Sequence, residues 1–271
     1  MTEERQRLDV RLVREGMAET RTRAQAAIMA GRVLVNGRLE NKSGRSVKAS
    51  DVVSLVQPQP FVSRGGLKLD FALREFGLEV SGWSVVDIGA STGGFTDCWL
   101  KHGVERVYAV DVGYGQLHWR LRQDERVVVM ERTNARYLTL EALGGAGALD
   151  GASIDASFIG LRLLLTPLLG IMRPGGTIVA LVKPQFEAGP KKVGKGGVVR
   201  HPHIHEEVLH KVIGEARELG YGVQGITVSP IRGAQGNVEF LLCLVAHSGC
   251  QAPIDIPAVV ADAWKGGDTD G

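Results

Sequence analysis

A glycine-rich turn follows an apolar segment in the middle of the chain, in the stretch Val85-Val-Asp-Ile-Gly-Ala-Ser-Thr-Gly-Gly-Phe-Thr96. Glycines at such a turn let the backbone approach a ligand closely and adopt positive φ values that other residues avoid. Asp111 ends the next apolar segment, about twenty residues further on, where a carboxylate can accept hydrogen bonds from a ribose diol. The combination indicates a ligand that contains a nucleoside.

The spacing of the turn bears on which nucleoside ligand it holds. Its glycines follow G-x-x-x-G-G, whereas dinucleotide-binding turns follow G-x-G-x-x-G. Asp87 lies inside the strand, where it could face a cationic ligand such as a sulfonium-linked amino group and would repel a pyrophosphate. These features favour the methyl donor S-adenosylmethionine over a nicotinamide cofactor or a purely structural turn. Asn134, after the third apolar segment, is a candidate adenine contact or an ordinary polar loop residue.

Two charged residues close later apolar segments. Asp155 stands in Ser153-Ile-Asp-Ala-Ser-Phe158, and Lys183 stands in Ala180-Leu-Val-Lys-Pro-Gln-Phe186. Ligand sites of open α/β sheets lie at the carboxyl ends of the strands. A lysine kept uncharged by burial or by a neighbouring cation can accept a proton from an alcohol. The pair fits methyl transfer to a hydroxyl oxygen, although either residue could also be a solvated strand end.

Short apolar segments alternate with helical or glycine-rich ones from residue 63 to residue 247. This alternation predicts an α/β domain with a mostly parallel sheet and crossover helices. The predicted strands are 84–88, 104–110, 126–130, 152–158 and 176–182. An amphipathic helix around 208–216 precedes strands 222–229 and 238–246, which predict an antiparallel edge hairpin. Residues 248–271 are rich in Gly, Pro and Asp and predict a loose tail.

The first 57 residues predict a separate, small α+β domain of two helices and short strands. Thr20 is a candidate N-cap for the second helix, and Asn36-Gly37 predicts a type I′ hairpin. This segment holds 11 Lys and Arg against 7 Asp and Glu, whereas the rest of the chain holds 21 against 23. A basic head suggests a polyanionic partner, although many solvated surfaces carry as much charge. The candidate phosphate contacts are Arg21, Arg23, Arg32 and Lys42.

Composition narrows the class of protein further. Gln57-Pro-Gln-Pro60 is predicted to be extended, because each proline fixes φ and biases the residue before it away from helix, and residues 58–62 are therefore predicted to be a linker. No run approaches the roughly 18 apolar residues of a membrane helix, and the first thirty residues lack the apolar core of a signal peptide. The 3 cysteines, Cys98, Cys243 and Cys250, form no recognisable disulfide or metal-binding spacing. We therefore expect a cytoplasmic protein with reduced thiols.

From about residue 5 to residue 246 the sequence resembles the TlyA family, often called haemolysin A. In that family a ribosomal-protein-S-four-like RNA-binding domain precedes an FtsJ-like methyltransferase domain of the Rossmann-like class I fold. The motifs that carry the resemblance are Leu12-Val-Arg-Glu-Gly16, Gly31-Arg-Val-Leu-Val-Asn-Gly37, Ser63-Arg-Gly-Gly-Leu-Lys-Leu69, Asp87-Ile-Gly-Ala-Ser-Thr-Gly-Gly-Phe-Thr96, Ala109-Val-Asp-Val-Gly-Tyr-Gly-Gln-Leu117, Val182-Lys-Pro-Gln-Phe-Glu187 and Asn237-Val-Glu-Phe240.

The resemblance implies methylation of a ribose 2′-hydroxyl, in the family that of a cytidine, in ribosomal RNA or ribosomal subunits. It implies a catalytic tetrad of Lys68, Asp155, Lys183 and Glu239, in which Lys183 takes the proton and the others orient it. The implied contacts of S-adenosylmethionine are Asp87, Gly89, Ser91, Gly93, Gly94, Asp111 and Asn134.

Two segments after the fifth predicted strand are less specific. The basic loop 190–200, with Lys192 and Lys195, could clamp the RNA backbone or be an ordinary solvated loop. His201-Pro-His-Ile-His205 lacks a matching carboxylate or thiolate cluster, so we expect no metal site.

Two other classes of protein stay open: a lytic, haemolysin-like protein and an RNA-binding ribosome-assembly factor with an inactive methyltransferase fold. The absence of a membrane-length apolar run disfavours the first, and the retained tetrad and glycine turn disfavour the second.

Overall fold

The computed structural model describes residues 5–56, 59–145, 147–249 and 251–265. The chain divides into two compact units, Met1–Gln59 and Pro60–Gly271. The boundary between them falls within residues 58–62, the segment predicted to be a linker. Pro58, the first residue of the predicted linker, and Gln57 before it lie outside the described residues. In the predicted tail, Cys250 and residues 266–271 also lie outside them.

The N-terminal unit is a small α+β fold with its own apolar core. Thr20 caps the second helix, since its Oγ1 accepts a hydrogen bond from the Arg23 backbone N–H at 3.2 Å. Asn36 and Gly37 adopt φ values of 50° and 75°, as a type I′ turn requires. Strands β1 and β4 pair with each other, and β3, β2 and β5 form a second antiparallel sheet. The elements are β1 (Arg5–Arg7), α1 (Leu8–Arg14), α2 (Arg21–Met29), β2 (Val33–Val35), β3 (Arg38–Leu39), β4 (Ser46–Lys48) and β5 (Val53–Leu55).

The second unit is a Rossmann-like fold around a 7-stranded sheet in the order β11-β12-β10-β9-β6-β7-β8. Its strands are β6 (Ser84–Ile88), β7 (Arg106–Val110), β8 (Val127–Met130), β9 (Leu149–Ile154), β10 (Met172–Val182), β11 (Gly222–Val228) and β12 (Phe240–Val245). Its helices are α3 (Gly65–Glu75), α4 (Gly94–Lys101), α5 (Trp119–Arg122), α6 (Leu161–Leu169), α7 (Pro184–Glu187), α8 (Pro202–Glu218) and α9 (Ile256–Lys265).

The sheet is parallel from β8 to β10, and β12 runs antiparallel to both of its neighbours. The predicted antiparallel edge is therefore present. The edge strand is β11, and the strand that runs antiparallel to both of its neighbours is β12, second from the edge. Strand order reverses at β6, because the chain continues from it to β7 on one side and later to β9 on the other. Such a reversal opens a crevice at the carboxyl ends of the strands, where open α/β sheets bind ligands.

Strand β9 differs from its predicted range of 152–158, because it ends at Ile154. Asp155 follows the strand directly, and Phe158 adopts a φ of 63°, which a continuing strand does not allow. The apolar residues Ala156 and Phe158 made the segment resemble strand in the sequence. The earlier end places Asp155 in a loop at the carboxyl edge of the sheet.

The loose tail that we expected beyond residue 247 is not what the structure shows for residues 251–265. Helix α9 buries Ile256, Val260 and Ala263 in the same core as α8. These residues recur at positions i, i+4 and i+7, which is the spacing of one helix face. The Gly, Pro and Asp content around the helix outweighed this short pattern in the sequence. No helix among the described residues has the length and apolarity needed to cross a bilayer.

Candidate active site

The glycine turn after β6 adopts backbone conformations that explain its composition. Gly89 and Gly93 have φ values of 83° and 96°, in the region that favours glycine. A Cβ on Gly89 would lie 2.7 Å from the carbonyl oxygen of Asp155, and one on Gly93 would collide with the side chain of Leu121. Ser91 also has a positive φ, of 48°. The turn is therefore packed closely against the segment that follows β9.

Gly94 begins α4 and lies against the start of α3. A Cβ on Gly94 would collide with the Ser63 hydroxyl and would lie 2.9 Å from the backbone nitrogen of Gly66. This close approach brings the beginnings of α3 and α4 together beside the turn. It also explains why Lys68, on the first part of α3, can reach the same edge of the sheet.

Asp87 lies beneath the turn and has no exposed surface. Its carboxylate accepts hydrogen bonds from Thr96 Oγ1 at 2.7 Å and from Ser153 Oγ at 2.8 Å. The indole N–H of Trp99 in turn donates to Ser153 Oγ at 2.9 Å. Burial raises the pKa of Asp87 to about 6. The structure therefore shows Asp87 linking β6, α4 and β9 through hydrogen bonds. We expected it to contact a ligand directly, but it lines neither of the cavities beside the turn.

Two cavities open on either side of the turn at the carboxyl edge of the sheet. The Asp111 cavity, of about 540 Å³, is lined by residues that include Asp111, Gln116, Asn134 and Phe158. The Lys68 cavity, of about 280 Å³, is lined by residues that include Ser63, Arg64, Lys68 and Arg232. Both cavities share the same three wall residues, Gly89, Ser91 and Asp155. A ligand crossing the turn would thus contact both cavities and Asp155.

The Asp111 carboxylate is oriented by backbone hydrogen bonds at the wall of its cavity. Its Oδ2 accepts from the Ser91 N–H at 2.8 Å, and its Oδ1 accepts from the Gly113 N–H at 2.7 Å. A carboxylate oxygen can accept more than one hydrogen bond, so both oxygens can still receive hydroxyl groups. On the same wall, Asn134 Oδ1 accepts from the Arg136 N–H at 3.1 Å.

The four residues of the implied tetrad form two ion pairs. Lys68 Nζ lies 2.5 Å from Glu239 Oε2, and both side chains are buried. Lys183 Nζ lies 2.6 Å from Asp155 Oδ1 and also donates to Ser157 Oγ at 3.1 Å. The Lys183 side chain is 10% exposed and that of Asp155 is 23% exposed. Because Lys68 and Asp155 line one cavity, the structure brings all four predicted catalytic residues to that region.

The segment before β12 explains how Glu239 is placed. A Cβ on Gly233 would collide with the Glu239 carboxylate, so only glycine leaves the space that this carboxylate occupies. The Gly233 N–H donates to the Asn237 carbonyl at 2.9 Å, which closes the turn before the strand. The turn presents Ile231, Arg232 and Gly233 to the Lys68 cavity.

The basic residues predicted to contact RNA differ in whether they are paired. Arg21 Nε donates to Asp9 at 3.0 Å, Arg23 pairs with Glu19, and Lys192 pairs with Glu207. Arg32, Lys42 and Lys195 are exposed, and their side chains form no ion pair with the described part of the chain. Among the six, these last three therefore have free cationic groups.

The structure places several residues around the site that had no predicted role. Ser157 holds the Lys183 amine, and Ser153 and Trp99 complete the network under the turn. Ser157 could have been found, because it stands two residues after Asp155 at a strand end. Arg232 and Trp99 carry no such signal, since they come close to the site only through the packing of distant segments.

Comparison with known proteins assigns both units of the chain to known families. The FtsJ-like methyltransferase family matches residues 61–246, and the S4 domain family matches residues 6–53. The YqxC protein of Bacillus subtilis (strain 168) is 52% identical, over 98% of this chain and 96% of its own length. Another relative is the 16S/23S rRNA (cytidine-2′-O)-methyltransferase TlyA of Mycobacterium tuberculosis, 46% identical over 89% of this chain and 90% of its own.

Further relatives include Hemolysin A of Brachyspira hyodysenteriae, which is 41% identical over 87% of this chain and 98% of its own length. A solved structure from Streptococcus thermophilus, 44% identical, covers 97% of each chain with a TM-score of 0.73. Both family matches, and the relatives that are similar along nearly the whole chain, support the same family assignment. The chain belongs to the TlyA family of FtsJ-like methyltransferases and carries an S4 domain ahead of its methyltransferase domain.

Proposed function

We propose that this protein transfers a methyl group from S-adenosylmethionine to a ribose 2′-hydroxyl, that of a cytidine, in ribosomal RNA. The observation that carries the proposal is the Lys183–Asp155 pair, 2.6 Å apart, next to the glycine turn and its two cavities. The relative from M. tuberculosis is named a cytidine-2′-O methyltransferase of 16S and 23S rRNA, and one from Campylobacter jejuni is named a 23S rRNA cytidine-2′-O methyltransferase.

The donor fits across the glycine turn. Asp111 is placed to accept hydrogen bonds from its ribose diol, and Asn134 lies on the same wall for the adenine. The amino-acid end of the donor then extends over Gly89 and Ser91 towards the Lys68 cavity, where Arg64 and the beginning of α4 offer positive charge to its carboxylate. When bound, S-adenosylmethionine supplies a methyl carbon that is electrophilic because it is attached to a sulfonium.

The acceptor hydroxyl meets the donor at Asp155, the residue common to both cavities. As the hydroxyl oxygen bonds to the methyl carbon and the carbon–sulfur bond breaks, Lys183 Nζ, reacting as the neutral amine, accepts the proton that the hydroxyl loses and becomes an ammonium that pairs with Asp155. Asp155 and Ser157 hold this nitrogen in position. The buried pair of Lys68 and Glu239 keeps the Lys68 ammonium near the reacting atoms, which favours developing negative charge on the acceptor oxygen.

The S4 domain supplies affinity for the RNA in this proposal. Arg32 and Lys42 are exposed and without an ion-pair partner in the described N-terminal unit, so both can contact phosphates. Arg21 and Arg23 would first have to leave Asp9 and Glu19, or share their charge with them. We infer that the partners are ribosomal RNA or ribosomal subunits and that the protein acts in the cytoplasm, where ribosomes are found.

Lys183→Ala tests the proposal, with Lys265→Ala on the exposed surface of α9 as a matched control. We expect Lys183→Ala to lower transfer of labelled methyl groups to rRNA by at least about a hundredfold, because it removes the proton acceptor. Donor affinity, measured by calorimetry, should be unchanged, since Asp111 and the turn are intact. Full activity of Lys183→Ala would remove the proposed base, and donor binding without transfer by the unaltered protein would indicate an assembly factor.

A further inference from the structure

A third cavity adjoins the active site and has no role in the function proposed above. This Arg200 cavity, of about 370 Å³, is lined by residues that include Val199, Arg200, Arg232, Gln235 and Trp264. Arg232 also lines the Lys68 cavity, so the two cavities are neighbours with a shared wall. Trp264 comes from α9, which lies outside the 61–246 range of the FtsJ-like match.

Two guanidinium groups line the Arg200 cavity, and no carboxylate of a described residue pairs with either of them. Within the described part of the chain, Arg232 donates to carbonyl oxygens, that of Gly236 at 3.3 Å and that of Ala263 at 3.5 Å. Arg200 forms no ion pair with any described residue. Two uncompensated cations in one cavity favour binding of an anion.

The walls of this cavity are held in place by internal contacts. Asn237, which is buried, fixes the end of the basic loop: its Oδ1 accepts from the Val199 N–H at 3.1 Å and its Nδ2 donates to the Gly197 carbonyl at 2.9 Å. On the opposite side, the Trp264 ring packs 5.8 Å from the ring of the fully buried His205. A site with fixed walls loses little conformational entropy when an anion binds.

We propose that the Arg200 cavity binds a backbone phosphate of the RNA strand beside the nucleotide that is methylated. The inference rests on the proposed function, because it takes its anion from the substrate of the neighbouring site. Arg200 and Arg232 provide charge and hydrogen bonds for a phosphate, which guanidinium groups bind in a fixed geometry. Trp264, 37% exposed, offers an aromatic face to the sugar or base attached to that phosphate.

Arg200→Ala tests this site, because Arg200 is exposed and its side chain forms no hydrogen bond or ion pair with a described residue that the substitution would break. The matched control is Arg173→Ala, an exposed arginine near the start of β10 whose partner is Asp150. We expect Arg200→Ala to weaken binding of a fluorescently labelled rRNA fragment about five- to tenfold. The slope of log affinity against log salt concentration should fall by about one, as for the loss of one phosphate contact. Donor affinity should not change.

Arg232→Ala, checked for an unchanged melting temperature, should have the same effect on RNA affinity and on the salt slope. If Arg200→Ala and Arg173→Ala bind the fragment equally well and with the same slope, the phosphate site is wrong while the proposed function stands. If the unaltered protein binds the fragment but methylates no rRNA, the proposed function is wrong, and the phosphate site loses the substrate on which it rests. RNA binding is measured without turnover, so the two failures remain distinguishable.

Discussion

Glu239 can reach Lys68 only because residue 233 has no side chain. The Glu239 carboxylate occupies the space that a Cβ at Gly233 would need, and it is 3% exposed. A buried carboxylate is stable there because Lys68 Nζ lies 2.5 Å from it. The pair therefore depends on a glycine, a residue that carries no charge and has no side chain.

Gly233→Ala should lower the rate of methyl transfer about ten- to a hundredfold, because the added methyl displaces the Glu239 carboxylate from Lys68. The melting temperature should also fall, because the buried carboxylate and ammonium lose each other as partners, so the transfer rates are compared well below the melting temperatures of both variants. The control is Gly214→Ala in α8, where an added Cβ meets nothing within 4 Å. Equal transfer rates for the two variants, measured with labelled donor and rRNA, would show that the Lys68–Glu239 pair is dispensable.

Among the helices, α9 depends on an unusual partner. His205 of α8 is fully buried, neither of its ring nitrogens has a hydrogen-bond partner, and its ring lies between those of Phe240 and Trp264. Burial, with a smaller contribution from the charge of Arg232, lowers the pKa of His205 from 6.5 to about 4. The neutral imidazole is therefore the form that packs between α8, β12 and α9.

His205 should make the folded state less stable in acid. In the unfolded chain His205 binds a proton near pH 6.5, whereas in the folded chain it does so only near pH 4. The stabilisation that the neutral imidazole provides is therefore complete above pH 6.5 and is lost as pH falls towards 4. In denaturant titrations, we expect the free energy of unfolding of His205→Leu, relative to the unaltered protein, to rise by about 3 kcal/mol between pH 7 and pH 4.

Asp87 affects the pH dependence of stability in the opposite sense to His205. Its pKa is raised from 3.8 to about 6, so the stabilisation that it provides is complete below pH 3.8 and is lost as pH rises through 6. It is present in both proteins and cancels in the difference. His210→Leu, on the exposed face of the same helix, controls for the loss of an imidazole. A difference that stays constant with pH would contradict the assignment to His205.

Regular periodicity made most of the sheet and helices predictable from the sequence. Strand β6 has the predicted bounds, and α8 contains the predicted amphipathic stretch. The methyltransferase and S4 assignments were also predictable, because long motifs carry them. Helix α9 and the end of β9 were not, since short apolar patterns there compete with turn-forming residues and only tertiary packing decides between them.

The residues predicted to form the tetrad do come together in the structure, but their pairing was not predictable from the sequence. The four tetrad residues came from the resemblance, whereas the division into Lys68–Glu239 and Lys183–Asp155 pairs required coordinates. Asp87 shows the opposite limit: its position inside β6, one residue before the strand ends, is compatible with facing a ligand or the core. The hydroxyls of Thr96 and Ser153, which turn it towards the core, come from other segments of the chain.

Taken as a whole, the molecule combines two units with separate apolar cores and different charges. The N-terminal unit has the S4 fold and exposed basic residues, and the C-terminal unit has the glycine turn and the paired lysines. Such a division lets one unit bind a large polyanion while the other positions a single hydroxyl. RNA affinity and chemistry can then be altered separately.

The position of the transferred methyl group distinguishes ribose methylation from the other possible activities. The unaltered protein is incubated with methyl-labelled S-adenosylmethionine and with ribosomes, isolated subunits or naked rRNA, and the RNA is digested to nucleosides for mass spectrometry. We expect the label on the ribose 2′-oxygen of a cytidine. Label on a nucleobase, or donor binding without any labelled nucleoside, would contradict the role given to Lys183 and Asp155.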